Sequence, residues 1–362
     1  MAIEIRAPAS ITPDWLEQVL AAGGDRTRVK SYTAKRVGTG QIGDTYRFNL
    51  VCENASGTHP RTIVGKFPSD GIESRQTGIA LGNYLREVKF YQHLANTALI
   101  HTPRVFFTDI NEATHDFVLM MEDLSPAEQG DQLKGVSLEQ AALVMDEAAR
   151  LHASHWEDDA IEAFPWVSGS RSAPTSPATP DAIAALWGAF CTRYGARVSA
   201  QAKVVGETLC QHIEAYFNRA GPRSLAHMDF RPDNMMFASA AGGYPVTTLD
   251  WQSIAFGPGA TDVAYFLAGA ISVDQRREHE RALTGRYLDK LKELGVRGYT
   301  RDAFMRDYAG GSFQLFLTAF YAAVVVTQTA RGDDMFFQML NSATSQIADT
   351  HALERLKGGE TR

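Results

Sequence analysis

The chain is organised around the stretch LAHMDFRPDN at residues 225–234, which is followed after a short hairpin by TLDWQ at residues 248–252. Asn234 lies five positions after Asp229, and Asp250 ends an apolar run. Amide and carboxylate oxygens such as those of Asn234 and Asp250 suit Mg²⁺. A carboxylate such as Asp229 can orient a hydroxyl for attack on a phosphate. The two segments together therefore predict a catalytic centre for phosphoryl transfer from ATP.

The polar residues of this stretch receive different predicted roles. We expect Asp229 mainly to position the substrate hydroxyl, because a carboxylate with a pKa near ~3.9 is a weak base toward an alcohol. Arg231, two residues further on, is expected to meet the charge of the γ-phosphate. We expect His227 to brace the loop by hydrogen bonds rather than to transfer protons, and Asp233 to be either a surface residue or a second brace of the loop.

Size and composition limit the class of protein. A chain of 362 residues exceeds what one compact core normally encloses, so two lobes with a cleft between them are expected. Its content of 44% hydrophobic and 21% charged residues is typical of a globular protein. The formal net charge of −7 argues against a general nucleic-acid binder, which would present a basic face.

The cysteines and the termini suggest a compartment. Cys52, Cys191 and Cys210 form no CxxC pair, which predicts neither a disulfide framework nor a zinc site and favours the cytoplasm. The first residues show no basic region followed by an apolar run, so we predict no signal peptide. The apolar run 313–326 is too short to span a bilayer and is expected to form a buried helix, so no membrane insertion is predicted.

The first third of the chain predicts a small sheet lobe. After a short leading helix at about residues 14–22, the alternation of apolar and polar residues predicts three antiparallel strands between residues 29 and 67. A helix is predicted over 81–97, followed by strands at 104–110 and 117–121.

Beyond residue 122 the patterns are mainly helical. Ser137-Leu138-Glu139-Gln140 is a capping-box signature that opens a helix to about Trp156. A Ser- and Pro-rich loop is predicted over 166–180. Further helices are predicted near 181–196, 201–219 and through most of 262–357.

The segment GTGQIG at residues 38–43 matches the pattern GxGxxG. In a dinucleotide-binding fold the third glycine opens a helix, but here it leads into DTYRF at 44–48, which alternates like a strand. A hairpin loop over phosphates is therefore the better interpretation, since glycines let backbone N–H groups approach an anion. A plain glycine-rich turn is the alternative. The predicted nucleotide contacts from this loop are Gly38, Thr39, Gly40, Gln41 and Gly43.

Lys66 and Glu87 are predicted to form a pair. Lys66 ends a strand, where a lone lysine is usually a solvated edge charge. Glu87, however, lies within the apolar stripe of the following helix, and a buried carboxylate is costly unless a cation meets it. An ammonium held in this way would contact the α- and β-phosphates of a nucleotide. The alternative is an exposed Glu87 on a helix with a slightly different phase.

The motifs resemble a known family. HMDFRPDNMMF at 227–237, DWQ at 250–252, GPGATDVAYFL at 257–267 and FVLMMEDL at 117–124 are similar to motifs of the aminoglycoside phosphotransferase and choline kinase-like branch of the protein-kinase-like superfamily. They most resemble the ecdysteroid-kinase-like group and its bacterial relatives. The resemblance covers roughly residues 30 to 345.

The resemblance implies an α+β, protein-kinase-like two-lobe fold. Its N-lobe, residues 1–121, would be a small antiparallel sheet with one main helix, and its C-lobe, residues 122–362, would be larger and mostly helical. A hinge at about 119–124 would join them. The family's hinge binds adenine, which implies that Met120, Met121 and Glu122 bind the nucleotide.

Three further features follow from the comparison with the family. The resemblance implies that Asp262 braces the large lobe. Met228 replaces a glycine that many relatives carry, which crowds the catalytic loop. Trp251 and Gln252 stand where protein kinases have Phe-Gly, so a swinging regulatory switch is not expected.

The acceptor is predicted to be a small-molecule alcohol. Only twelve positions separate Asp250 from Asp262, which leaves no room for a long segment that would dock a peptide. Residues 313–321 and 335–339 are rich in apolar and aromatic side chains. If some of them line the pocket, we expect a partly apolar acceptor. The alternative is that these residues form core helices. An aminoglycoside O-phosphotransferase and a non-catalytic ATP-binding regulatory protein remain as alternative functions.

Overall fold

A computed structural model describes residues 3–38, 42–53, 59–169, 171 and 179–358. The N-terminal part contains three helices and five strands. In chain order these are α1 (Pro13–Ala22), β1 (Val29–Val37), β2 (Gly43–Cys52), β3 (Thr62–Pro68), α2 (Ile72–Ala80), α3 (Asn83–His93), β4 (Val105–Ile110) and β5 (Phe117–Glu122).

The five strands form one antiparallel sheet in the order β1-β2-β3-β5-β4. Helix α1 begins after Thr12, whose hydroxyl caps it, and buries Trp15 and Leu16 in a cluster with the sheet residues Phe48 and Met120. Strand β3 alternates buried and partly buried residues, whereas the inner strand β5 is buried at every position from Phe117 to Met121.

Helix α3 lies on the other side of the sheet and contacts the rest of the chain. Phe90 is fully buried and stacks on Trp251, with ring centroids 3.9 Å apart. Glu87 and Val88, on the same helix, are also buried. Helix α3 therefore connects the sheet with the segment around residue 250, as a helix in a cleft between two lobes would.

The C-terminal part is dominated by helices. Its elements are β6 (Glu128–Gln129), α4 (Leu138–Ser154), α5 (Pro180–Tyr194), α6 (Ala200–Gln211), α7 (Ile213–Phe217), β7 (Ser224–Ala226), β8 (Met235–Ser239), β9 (Gly242–Thr248), β10 (Ala255–Gly257), α8 (Ala260–Ala270), α9 (Val273–Glu293), α10 (Arg301–Gly311), α11 (Phe313–Val325), α12 (Ala330–Asp349) and α13 (Ala352–Gly358). Strand β8 pairs with β6 and β9, and β7 pairs with β10. These short strands frame the stretch from which the sequence analysis started.

Most predicted elements are present, with small differences. The capping box at Ser137 opens α4, and the three antiparallel strands between residues 29 and 67 are formed. The helix predicted over 201–219 is divided at His212 into α6 and α7. Helix α2 was not predicted, because its residues 72–80 are mostly polar and bury only Gly78.

The apolar run 313–326 forms the core helix α11, as expected. By length and composition alone, the helical stretch Arg301–Val325 is long and apolar enough to cross a membrane, and 61% of its most apolar window is buried inside the protein.

Candidate active site

The stretch 227–234 forms a loop between β7 and β8. It ends in a single 3-10 turn, Pro232–Asn234, which leads directly into β8. The hairpin of β8 and β9 then returns the chain to this loop, where the Leu249 N–H donates to the Asn234 carbonyl at 2.8 Å. This geometry explains how Asp250, distant in sequence, is brought next to Asn234.

The carboxylate of Asp229 is held by three side chains. The Tyr265 hydroxyl donates to Oδ1 at 2.8 Å, the Asn234 amide donates to Oδ2 at 2.8 Å, and Arg231 Nε lies 3.2 Å away. Burial acts to raise the pKa of Asp229, but the Arg231 guanidinium and the Tyr265 hydroxyl together hold it below its usual value. Asp229 is therefore an ionised, fixed acceptor whose side chain is still 18% exposed.

Arg231 lies between two carboxylates. Besides Asp229, its Nη1 contacts Asp233 Oδ2 at 2.7 Å. Asp233 in turn accepts a hydrogen bond from the Gln132 backbone N–H at 2.9 Å, so it braces the loop, which is one of the two roles predicted for it. Burial alone would lower the pKa of Arg231, but Asp229 raises it. The predicted contact of Arg231 with a γ-phosphate stays a prediction.

His227 braces the loop and is fully buried. Its Nε2 lies 2.8 Å from the Leu249 carbonyl, and the Asp229 N–H donates to its Nδ1 at 3.3 Å. Since a carbonyl can only accept, Nε2 carries the proton and Nδ1 is the acceptor. Both ring nitrogens are occupied, which agrees with the structural role predicted for this residue.

Asp262 anchors the start of the loop from α8. Its two oxygens accept hydrogen bonds from the backbone N–H groups of His227 at 2.7 Å and Met228 at 2.9 Å. His152 Nε2 lies 3.2 Å from the same carboxylate, and Asp262, His152 and His227 are fully buried. Met228 adopts a φ of 66°, a left-handed conformation that favours glycine. The resemblance implied both the brace and the crowding at Met228.

Lys66 joins the sheet to the C-terminal part. Its Nζ lies 2.7 Å from Glu87 Oε2 and 2.8 Å from Asp250 Oδ1. The Glu87 side chain is only 3% exposed, which confirms the predicted pair and excludes an exposed Glu87. Burial alone would lower the pKa of Lys66, but the carboxylates of Asp250 and Glu87 raise it above its usual value. Burial raises the pKa of Glu87, and the Lys66 ammonium only partly offsets this effect. The ammonium is thus a fixed cation at the junction of three segments.

The glycine-rich segment 38–43 stands between β1 and β2 in the sequence. Gly38 follows β1 with a φ of 79°, and Gly43 is the first residue of β2. A Cβ on Gly43 would lie 3.4 Å from Lys66 Cε and 3.0 Å from the Phe67 carbonyl, so a larger residue would crowd the lysine. The predicted contacts Thr39, Gly40 and Gln41 lie outside the described residues.

Met120, Met121 and Glu122 lie in β5, between β3 and β4. The Glu122 N–H donates to the Arg104 carbonyl at 2.9 Å, and its carboxylate accepts from the Arg104 N–H at 2.7 Å. The backbone of this segment is thus engaged in the sheet up to Glu122. Its predicted contact with a nucleotide stays a prediction.

Two residues fit a divalent cation. The Asn234 amide nitrogen donates to the backbone and side chain of Asp229, at 2.9 and 2.8 Å, which turns its oxygen away from that carboxylate. The Asp250 side chain is 26% exposed. Its Oδ1 contacts Lys66, and its Oδ2 accepts a long hydrogen bond, 3.3 Å, from the Gln252 amide. Within the described part of the chain, no group of three His, Cys, Asp or Glu residues could hold a metal. One carboxylate and one amide oxygen are what Mg²⁺ takes when phosphates supply its other ligands.

Sequence reasoning missed Tyr265. It lies on α8 within the apolar segment DVAYFL, where a tyrosine is indistinguishable from a core residue, and it is 1% exposed. Burial and the Asp229 charge raise the pKa of Tyr265, so its hydroxyl stays a neutral donor. Only the tertiary fold reveals that this donor faces the predicted catalytic aspartate.

The fold is similar to that of solved small-molecule kinases. An ethanolamine kinase from Plasmodium vivax has a TM-score of 0.53 and 10% identity, over 98% of this chain and 86% of that one. A microcompartment-associated aminopropanol kinase has a TM-score of 0.53 and 15% identity, over 96% and 98%. A choline kinase from Cryptosporidium parvum has a TM-score of 0.50 and 11% identity, over 96% and 94%. At these identities the comparisons show the fold alone, and they confirm the predicted kinase-like α+β class.

Sequence comparison gives the family. No curated protein matches the chain significantly. A family profile described as the phosphotransferase enzyme family (APH) matches residues 33–301, well over half of the chain. This match agrees with the resemblance found in the motifs. The chain therefore belongs to the phosphotransferase enzyme family.

Proposed function

We propose that the protein is an ATP- and Mg²⁺-dependent phosphotransferase that moves the γ-phosphate of ATP to a hydroxyl of a small, partly apolar molecule. The observation that carries this proposal is the position of Lys66, whose ammonium lies within 2.8 Å of both Glu87 and Asp250. A cation fixed in this way can meet the α- and β-phosphates next to the proposed metal ligand.

The residues around Asp229 support in-line attack by an alcohol. Asp229 would accept the hydrogen bond of the acceptor hydroxyl and orient its oxygen toward the γ-phosphorus. As the new O–P bond forms, the bond from the γ-phosphorus to the bridging oxygen of ADP breaks, and the hydroxyl proton passes to Asp229. Arg231 would hold Asp229 ionised and reduce the charge repulsion with the phosphate.

Asn234 and Asp250 would hold Mg²⁺, which when bound supplies charge neutralisation to the phosphate oxygens. Asp250 also contacts Lys66, so the proposed metal site and the proposed phosphate contact share one carboxylate.

We propose that the lobes are residues 1–121 and 122–362, joined by a hinge at about 119–124. The end of β5 at Glu122 supports this boundary. We expect adenine to meet the hinge at Met120, Met121 and Glu122, at the end of β5. Asp123 is fixed there by Arg47 Nε at 2.7 Å.

Helices α11 and α12 favour a partly apolar acceptor. Helix α11, whose Thr318 is hydrogen-bonded to the Tyr265 hydroxyl, contains no charged residue, and its partly exposed Gln314, Thr318 and Tyr321 are polar but neutral. From α12, Met335 Sδ lies 3.3 Å from Arg231 Nη1, which places an apolar side chain beside the loop. Solved structures of similar fold include kinases named for ethanolamine, aminopropanol and choline, so amino alcohols belong in the acceptor screen.

Two measurements test the proposal. Mg·ATP is expected to raise the Tm of the wild-type protein, and EDTA is expected to reduce that effect. A screen of hydroxylated metabolites should then find an alcohol that stimulates ADP release. No Tm shift with Mg·ATP would contradict the proposal, whereas a shift without turnover across many alcohols would favour the non-catalytic alternative.

One arm of the screen separates the two enzymatic alternatives. Stimulation of ADP release by kanamycin-like compounds, and not by less polar alcohols, would favour an aminoglycoside O-phosphotransferase. A cytoplasmic location stays a prediction, which fractionation of the native host would test.

A further inference from the structure

The hydroxyl of Tyr84 lies at a junction between three elements of the N-lobe. Tyr84 is on α3 and is 2% exposed. Its hydroxyl donates to the carbonyl of Ile42 at 2.5 Å and accepts a hydrogen bond from the backbone N–H of Ser69 at 3.3 Å. The hydroxyl therefore connects Ile42, the residue before β2, and Ser69, the residue after β3, to helix α3, which also carries Glu87.

The tethered residue lies next to the proposed phosphate contact. Ile42 directly precedes Gly43, whose added Cβ would lie 3.4 Å from Lys66 Cε. A shift of the start of β2 would thus change the space beside the lysine. The Asp70 N–H donates to Asp44 Oδ2 at 3.0 Å, which gives the same segment a second tether.

Packing around Tyr84 is close. A Cβ on Gly78 of α2 would lie 2.6 Å from Tyr84 Cζ and 2.8 Å from Ile42 Cγ2, so only glycine fits there without displacing one of them. On another side the Tyr84 ring contacts that of Phe117, with centroids 4.8 Å apart. The phenol ring thus has little freedom to move, and its hydroxyl holds a defined position.

We propose that Tyr84 is a positioning residue for the nucleotide phosphates. Tyr84 and Glu87 are three positions apart on α3, which places them on neighbouring turns of one face. Glu87 fixes Lys66, and Tyr84 fixes the start of β2 at Ile42 and Gly43. Helix α3 therefore sets the distance between Lys66 and the start of β2, the two parts of the proposed phosphate site. This inference rests on the proposed use of ATP, but it concerns a residue to which the proposed reaction assigns no role.

The test compares two ligands that differ only in the phosphates. Binding of Mg·AMP-PNP and of adenosine is measured by calorimetry for the wild type, Tyr84→Phe and a matched control, Tyr32→Phe. Like Tyr84, Tyr32 donates its hydroxyl to an isoleucine carbonyl, that of Ile11 at 2.7 Å, but toward the far end of the same hairpin. Both variants lose a hydrogen bond to an isoleucine carbonyl, and Tyr84→Phe also loses the weaker one that its hydroxyl accepts from the Ser69 N–H at 3.3 Å.

We expect Tyr84→Phe to raise the Kd for Mg·AMP-PNP about five- to tenfold, the effect of one well-placed hydrogen bond, with adenosine affinity unchanged. Tyr32→Phe should change neither Kd. If Tyr84→Phe is too unstable to measure, Gly78→Ala replaces it, because its methyl group would press on both Tyr84 and Ile42. This variant should also bind Mg·AMP-PNP more weakly and adenosine with unchanged affinity.

The outcomes separate the inference from the proposed function. If the wild type binds Mg·AMP-PNP and Tyr84→Phe binds it equally well, the positioning role is wrong. An equal loss of both ligands would also overturn it, because a general disturbance of the lobe does not distinguish phosphates. If the wild type binds neither ligand, the proposed use of ATP fails, and this inference fails with it.

Discussion

The regions around Lys66 and around Asp229 are stabilised in different ways. Lys66 and Glu87 come from β3 and α3, Asp250 lies two residues after β9, and charge holds the three together. Asp229 is instead fixed mainly within its own loop, by Asn234 and Arg231, with Tyr265 as a donor from α8.

This difference predicts different consequences of substitution. The cluster of Lys66, Glu87 and Asp250 forms only when the sheet and the helical part are in contact, so changes there should act mainly on nucleotide affinity. The loop around Asp229 is fixed mainly by hydrogen bonds between residues close in sequence. Substitutions there should leave nucleotide affinity nearly unchanged and should lower kcat. Four predictions test this division.

Asp229→Asn should have the largest effect. The amide keeps the shape of the side chain but cannot take the hydroxyl proton, so kcat for phosphate transfer should fall about 10²- to 10⁴-fold. The Kd for Mg·AMP-PNP should stay within about threefold of the wild type. Asp233→Asn is the matched control, since it removes the other carboxylate that contacts Arg231 and should leave most of kcat. Full turnover by Asp229→Asn would refute the role of Asp229.

Glu87→Gln should weaken nucleotide binding about tenfold, or about 1.4 kcal/mol. Without Glu87, only Asp250 holds the Lys66 ammonium, which should move toward that carboxylate and away from the phosphates. Calorimetry with Mg·AMP-PNP measures the change. The control is Glu147→Gln, because Glu147 is also buried and bonded, to the His101 N–H at 2.8 Å, but does not contact Lys66. Equal losses in both variants would show that the effect is general.

The sequence predicted the site where its signals are local. The spacing of Asp229 and Asn234 and the apolar run before Asp250 lie within 26 residues, and GTGQIG leads visibly into a strand. The pair of Lys66 and Glu87 was also predictable, because a carboxylate on an apolar helix face requires a cation. These features are encoded by residue type and position alone.

Features that depend on tertiary contacts were not predictable. Tyr265 and Tyr84 each look like core aromatics, and only the fold shows that one hydroxyl faces Asp229 and the other Ile42. Helix α2 was missed because it buries almost nothing of its own. Likewise, the contact between Lys66 and Asp250, 184 positions apart, follows from how the sheet and the helical part are arranged and not from a local pattern.

Tyr265→Phe should reduce kcat about five- to tenfold, with the Kd for Mg·AMP-PNP unchanged. The phenylalanine keeps the packing, but the ionised Asp229 carboxylate loses one of its three donors and is held less firmly by Asn234 and Arg231 alone. Tyr308→Phe is the control, because Tyr308 is equally buried and donates to another carboxylate, Glu280, at 2.6 Å. Similar losses of Tm with different kcat values would support the role of Tyr265, whereas equal kcat values would contradict it.

The smallest effect is expected at Met228. Met228 and Asp250 both adopt left-handed φ values, 66° and 63°, but a short polar side chain such as Asp tolerates this conformation better than Met does. The strain should therefore lie mainly in the Asp229 loop. Met228→Gly and Met228→Ala both remove the methionine side chain beyond Cβ, so a comparison of the two variants measures mainly the backbone preference.

We expect Met228→Gly to be more stable than Met228→Ala by about 0.5–1 kcal/mol, because alanine retains the cost of a left-handed φ that glycine does not incur. Denaturant unfolding at constant Mg·AMP-PNP measures the difference. Since the N–H of residue 228 donates to Asp262 in either variant, the loop should stay anchored and kcat should differ little between them. A more stable alanine variant would mean that residue 228 leaves the left-handed region in solution, and the loop would then be held by Asp262 and His227 without stored strain.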